Sequence, residues 1–279
     1  MDFDRFRNCL DADYRRLREV AARDLTAPVP SCPGWDVAAL VDHVAKVYLH
    51  KVECMRLGKA PEDWPPDRSD TPPLALLDET YQALVAEFAA REPGSHAATW
   101  FGPDQSVGFW IRRMAQETVV HRRDAELALG DPTPAAPDLA VDGIAELLDI
   151  FLSYAVTQWP DEFTGSLAGA DGRTIHITTD DTATSTGPIG GGAGPGSAAP
   201  AAAGGPGASG SWLVRLATGA VQITSAAPAG VDAAARVEGD PSAVLFWLWN
   251  RHAGIEQITV EGDPATLATF RHVLTAGTQ

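Results

Sequence analysis

Apolar residues recur at helical spacing through the first 130 residues, in four stretches separated by proline-rich segments. Within each stretch, large apolar side chains stand three or four positions apart, which places them on one face of a helix. The stretches cover residues 3–21, 37–48, 77–88 and 110–128. The prolines between them interrupt helices. The pattern therefore predicts four amphipathic helices in the first half of the chain.

The second half has a different pattern, which begins after a proline-rich connector at residues 130–137. Such a connector is typical of a domain boundary, so we predict two domains, residues 1–135 and 136–279. Residues 139–154 have helical spacing, and short β-type runs then follow at 174–178, 212–216 and 221–224. These runs predict an antiparallel meander.

His176 lies within the first of these β-type runs. It alternates with Ile175 and Ile177, so its side chain belongs on the opposite face of the strand. We therefore expect His176 to face solvent or to lie at an edge of the sheet.

Residues 183–211 separate the first two runs and are dominated by Gly, Ala, Pro and Ser. A segment of this composition cannot bury enough apolar surface to order itself, so we predict a flexible loop inserted into a hairpin. The three glycines at 190–192 are followed by neither Lys-Ser nor Lys-Thr, and no helix follows them. This argues against a nucleotide phosphate site.

A short repeat closes the chain, with Val-Glu-Gly-Asp-Pro at residues 237–241 and again at 260–264. In each copy Gly permits a turn, Asp can cap a helix, and Pro suits the first helical position. The repeat predicts two strand-turn-helix units, in which Asp240 and Asp263 are structural caps. Together with the meander, these units predict a small α+β domain with a mainly antiparallel sheet.

Composition excludes several classes of partner. The 279 residues carry a net charge of −16, which disfavours binding to nucleic acid or anionic membranes. No apolar run is long enough to cross a bilayer, and the first residues do not resemble a signal peptide, so we expect a cytoplasmic protein. The three cysteines include no Cys-x-x-Cys pair, so neither a disulfide framework nor a thiolate zinc site is expected.

Glu117 and His121 are the strongest candidates for chemistry. They stand four residues apart, so on a helix they stack one turn apart, on the same face as Trp110 and Met114. A charge on that buried face needs an opposite charge, hydrogen bonds or a metal. With His43 from the second helix, they would leave an open position on a tetrahedral zinc ion. The spacing also permits a purely structural contact between Glu117 and His121 or Arg113, with His43 half-exposed at the surface.

Three motifs, at residues 31–43, 117–126 and 245–251, resemble those of the mycothiol-dependent maleylpyruvate isomerase family. The resemblance covers nearly the whole chain and implies a DinB-like metal-binding four-helix bundle followed by an α+β domain. It also implies zinc, or another divalent metal, at His43, Glu117 and His121, with mycothiol as the thiol cofactor. Arg251 matches the family's functional arginine and would bind a substrate carboxylate. Interaction with a helix C-terminus is the alternative role for Arg251.

The resemblance leaves three functions open. The protein could be a mycothiol-dependent isomerase, a mycothiol S-transferase, or a non-catalytic member that binds a ligand or regulates. The two enzyme hypotheses share a small-molecule thiol and an electrophilic substrate as partners, and we expect a monomer. We also expect the active site between the two domains, because small-molecule sites favour domain interfaces.

Overall fold

The computed structural model describes residues 1–170, 172–180, 209–251 and 257–278. The chain divides into two compact units, Met1–Thr133 and Pro134–Gln279. Most of the predicted loop, residues 183–208, lies outside the described residues. Within the described residues, no helix is long and apolar enough to cross a membrane.

The first unit contains the four predicted helices. They are α1 (Phe3–Ala21), α2 (Val37–Leu57), α3 (Pro73–Ala90) and α4 (Val107–Leu129). Side chains of Asp2, Asp36 and Ser106 cap α1, α2 and α4 by accepting backbone N–H groups in the first turn. α1 packs against α4, and α2 packs against both α3 and α4. The apolar faces meet in a core that includes Leu17 and Trp110.

A buried ionic network joins the last turns of α4 to α1. The carboxylate of Glu126 is fully buried and accepts hydrogen bonds from Arg16 Nε and Arg122, each at 2.9 Å. The backbone N–H of Thr133 also donates to Glu126, at 2.9 Å. Arg122 Nε in turn lies 2.8 Å from the carboxylate of Asp13 on α1. Each buried charge in this network thus has an opposite charge beside it, as burial requires.

The second unit begins with a nearly continuous helical segment and ends with two strand-turn-helix units. Its helices are α5 (Pro137–Glu146), a π-helix (Leu147–Tyr154), α6 (Ala155–Gln158), α7 (Pro160–Phe163), α8 (Pro241–Leu248) and α9 (Pro264–Gly277). Asp240 and Asp263 cap α8 and α9 through their carboxylates, which confirms the structural role predicted for the repeat.

Among the described residues of this unit, five strands form one mixed sheet. They are β1 (Arg173–Thr179), β2 (Gly210–Ala217), β3 (Ala220–Ser225), β4 (Ala235–Gly239) and β5 (Ile258–Gly262), in the order β3-β2-β1-β4-β5. β1, β2 and β3 form the predicted antiparallel meander, β4 lies parallel to β1, and β5 is antiparallel to β4. The predicted loop extends too far, because Gly210 and Ser211 already pair with β1.

The prediction that His176 faces solvent or lies at an edge is wrong. β1 is the central strand, and His176 is only 4% exposed. Arg236 donates to His176 Nδ1 at 2.9 Å, so the neutral ring donates from Nε2 to Ser211 Oγ, also at 2.9 Å. Ser211 Oγ in turn donates a hydrogen bond to the carbonyl oxygen of Ala227. The alternating pattern correctly predicted which face of the strand carries His176. It did not predict that this face is buried.

Candidate metal centre

His43, Glu117 and His121 come together in the first unit. Each offers one ligand atom, and these atoms lie within 4.8 Å of one another. Glu117 Oε1 is 3.1 Å from His121 Nε2 and 3.4 Å from His43 Nε2. The carboxylate oxygen therefore faces both imidazoles, which is the arrangement that a shared cation requires.

The helix pair α2 and α4 positions this cluster. Beside it, Thr118 donates to the carbonyl of Met114, so the hydroxyl of Tyr48 donates to Thr118 Oγ1, at 2.6 Å. Both residues of this interhelical bond are buried. The bond holds α2 against α4 one turn from His43. It contributes to holding His43 opposite the two residues of α4.

A second layer of polar contacts orients the cluster. Arg113 donates to Glu117 Oε2 at 2.6 Å, which leaves Oε1 directed at the imidazoles. Asp124, which is fully buried, lies 2.9 Å from His121 Nδ1 and so leaves Nε2 for a ligand. Ser31, in the loop before α2, donates to the other oxygen of Asp124. Asp124 was not among the residues predicted to be functional, although it stands three residues after His121 and so on the same helical face.

The electrostatics of the cluster favour an ion pair in the metal-free protein. Burial alone would raise the pKa of Glu117, but His121, His43 and Arg113 together lower it well below its usual value. Burial would lower the pKa of His121, but Glu117 and Asp124 raise it to about 9. The structural contact among Glu117, His121 and Arg113 is thus present. In this contact the three ligand atoms lie close enough together for a metal ion to take the place of the His121 proton.

The donor set fits a divalent transition metal. Two imidazole nitrogens and one carboxylate oxygen form a common ligand set for catalytic zinc, and a carboxylate behind one histidine is typical of such sites. The side chain of His43 is 38% exposed, whereas those of Glu117 and His121 are 16% and 11% exposed. A small molecule would therefore reach the cluster from the His43 side.

A cavity of about 510 Å³ opens on that side of the cluster. Its walls include Trp35, His43, Lys46, His50, Lys51 and Trp64. The ring of Trp35 lies 5.0 Å from that of His43, centroid to centroid. Of these residues, only His43 was predicted from the sequence to be functional.

Arg251 belongs to the second unit, where it follows α8 and is not part of it. Asn250 adopts a left-handed conformation with φ of 59° and donates its N–H to Trp247, while Arg251 N–H donates to Phe246. These two bonds form a Schellman motif, which ends the helix. The guanidinium also donates to the carbonyl of Trp249 at 2.6 Å. The helix-terminal contact considered for Arg251 therefore exists.

Two family models match the chain in sequence order. One, described as the mycothiol maleylpyruvate isomerase N-terminal domain, matches residues 6–126, and the MDMPI C-terminal domain matches residues 138–269. A crystal structure of a mycothiol-dependent maleylpyruvate isomerase is similar, with 14% identity and a TM-score of 0.52, over 94% of this chain and 95% of that chain. The crystal structure of a mutant of such an isomerase is also similar, with 13% identity and a TM-score of 0.52 over 94% of this chain and 95% of that chain. No curated protein matches the chain.

Proposed function

Because the chain belongs to the mycothiol-dependent maleylpyruvate isomerase family, we propose that it is a mycothiol-dependent cis–trans isomerase of a small unsaturated acid. The observation that carries this proposal is the cluster of His43, Glu117 and His121 beside an open cavity. A closed structural metal site would not need access from solvent, whereas a site that activates a small molecule does.

We propose His43, Glu117 and His121 as the ligands of zinc or another divalent metal. When bound, the metal would lower the pKa of the cofactor thiol, so that the thiol is ionised near neutral pH. Arg113 and Asp124 keep the ligand atoms directed at one point. The ring of Trp35 packs beside that of His43.

An isomerisation neither adds nor removes atoms in the net reaction. The chain must therefore bind the acid, orient its double bond and exclude water that would compete as a nucleophile. An acid of this kind carries carboxylates, which arginine and lysine bind well. We propose Arg251 for one carboxylate.

The proposal is tested with zinc-loaded protein, mycothiol and maleylpyruvate. If the trans isomer forms only when both the metal and the thiol are present, the result supports the isomerase hypothesis. In a parallel reaction, mycothiol is mixed with a generic electrophile, and loss of free thiol is measured. A stable thioether without isomerisation would identify an S-transferase, and the absence of both products would favour a non-catalytic member.

Replacing Arg251 with methionine should reduce turnover by about 10- to 100-fold, because a hydrogen bond to a charged group contributes about 1.5–3 kcal/mol. Metal content should stay unchanged, since the proposed ligands lie in the other unit. Steady-state kinetics measures turnover, and elemental analysis measures metal content. Arg215→Met, which removes an exposed arginine of the same unit, is the control. Full activity in Arg251→Met would show that Arg251 does not bind substrate and that its role is the contact with the C-terminal end of α8.

Metal binding should release about one proton near neutral pH. The pKa of His121 is about 9 in the metal-free protein, so its imidazole is protonated below that pH and must lose the proton to bind metal. Apparent affinity should therefore rise about tenfold per pH unit from about pH 7 to about pH 9. Calorimetry in buffers of different ionisation enthalpy counts the protons. An affinity independent of pH would contradict the role of His121.

A further inference from the structure

Lys51 lies two helical turns after His43 on α2, and its side chain lines the same cavity. Its ammonium lies 4.7 Å from the centre of the Trp110 ring on α4. Lys51 therefore forms the part of the cavity wall that lies next to Trp110, two helical turns from His43.

The two lysines of this cavity differ in their partners. Lys46 Nζ forms an ion pair with Asp42 at 2.7 Å. Lys51 Nζ contacts a neutral ring nitrogen, His50 Nδ1 at 3.1 Å, and the face of Trp110. Among the described residues, no carboxylate lies within salt-bridge distance of Lys51. An ammonium has three donors, so Lys51 retains hydrogen-bonding capacity for an anion.

The surroundings of Lys51 also make its charge costly without an anion. Burial lowers the pKa of the Lys51 ammonium, and the charge of Glu117 opposes this only in part. Burial and the charge of Lys51 lower the pKa of His50 to about 4, so His50 is neutral near pH 7 and Lys51 is the cation of this pair. A carboxylate that enters the cavity would supply the missing opposite charge.

We propose that Lys51 binds a carboxylate of the electrophilic substrate, in the cavity between Trp35 and Trp64. This inference rests on the proposed function, because it assigns a substrate group to the cavity beside the proposed metal. It makes Lys51 a specificity residue: acids are selected over neutral alkenes of the same shape. The rest of a bound acid would extend toward His43, since both side chains line the same cavity.

The test measures binding without turnover and without any thiol. Maleate serves as the anionic probe and dimethyl maleate as its neutral counterpart, each titrated calorimetrically into zinc-loaded protein. Lys51→Met keeps the length of the side chain but removes its charge, and Lys46→Met removes a lysine of the same cavity that already has a carboxylate partner. Lys51→Arg tests whether a different cation restores binding.

Lys51→Met should weaken maleate binding about tenfold or more, because a hydrogen bond to a charged group is lost. Its affinity for dimethyl maleate should match that of the unmodified protein. Lys46→Met should retain maleate binding, and Lys51→Arg should bind more tightly than Lys51→Met. If Lys51→Met lost metal or helical signal, Lys51→Gln would give the same comparison.

Equal maleate affinity in Lys51→Met and the unmodified protein would overturn the assignment. So would failure of the unmodified protein to bind maleate, or an equal loss in Lys46→Met, which would indicate a general effect of charge. Because no thiol is present, the result is independent of whether mycothiol supports turnover. A failed isomerase assay with intact, Lys51-dependent maleate binding would refute the proposed reaction and leave the carboxylate site standing.

Discussion

Replacing His121 with alanine should remove most of the bound divalent metal and reduce isomerisation to the background rate. Loss of a contact behind a metal ligand already costs about 10- to 100-fold in affinity, and loss of the ligand itself should cost more. The substitution also leaves Glu117 and Asp124 without the imidazole that lies between them. Elemental analysis after dialysis and the mycothiol-dependent assay measure the two effects.

Two further variants separate loss of the site from loss of the fold. His43→Ala should also lose metal, and because His43 is partly exposed, the helices should remain intact. His96→Ala, an exposed histidine of the same unit, should keep both metal and activity. Full metal occupancy in folded His121→Ala would refute the assignment of the cluster as a metal site.

Replacing Glu126 with alanine should destabilise the first unit by about 3–5 kcal/mol. Glu126 is fully buried, and its removal leaves Arg122 with fewer opposite charges in the interior. Breaking a buried ion pair on one side typically has this cost, because the remaining charge stays desolvated. Urea denaturation followed by the helical circular dichroism signal measures the change.

Glu19→Ala provides a matched control for this substitution. Glu19 contacts Arg16, the same arginine that binds Glu126, but its side chain is 69% exposed and the distance is 3.5 Å. An exposed pair contributes about 0–1 kcal/mol, so the control should change stability little. Similar losses in the two variants would show that burial of the Glu126 network does not determine its contribution.

Much of the first unit follows from residue spacing. Helical periodicity predicts α1 to α4, and it places Glu117 and His121 inward beside Trp110 because residues four apart share a face. His43 stands at the margin of the apolar stripe on α2, a position that suggests a surface residue. The structure shows that this margin borders both the cluster and the cavity, so partial exposure is compatible with access by a ligand.

The remaining features of the site depend on contacts between elements that are distant in sequence. Lys51 meets Trp110 only because α2 packs on α4, and Ser31 meets Asp124 across 93 positions. Spacing within one helix carries no signal for either contact. His176 was assigned wrongly for a related reason: alternation gives the face of a strand, and burial depends on the position of the strand in the sheet.

Arg251 shows how one residue's backbone conformation alters the position of the next. The apolar residues up to Trp249 have the composition of a buried helix, but Asn250 adopts the left-handed conformation and α8 ends before Arg251. Asparagine tolerates that conformation better than most residues. The direction of the Arg251 side chain therefore depends on a turn that apolar periodicity does not reveal.

All three side chains of the cluster come from α2 and α4, and none comes from α1 or α3. Selection for metal ligands would therefore act on α2 and α4, whereas α1 and α3 are constrained by their contacts with those helices. Substitutions in α1 and α3 leave the three ligand side chains in place, provided that packing is preserved and that Asp13 and Arg16 of α1 keep their ion pairs with α4. This division also makes the cluster portable: a designed protein would need only two facing helices with His on one and Glu-x-x-x-His on the other. Arg113 and Asp124 lie on the second of those helices and would be transferred with it.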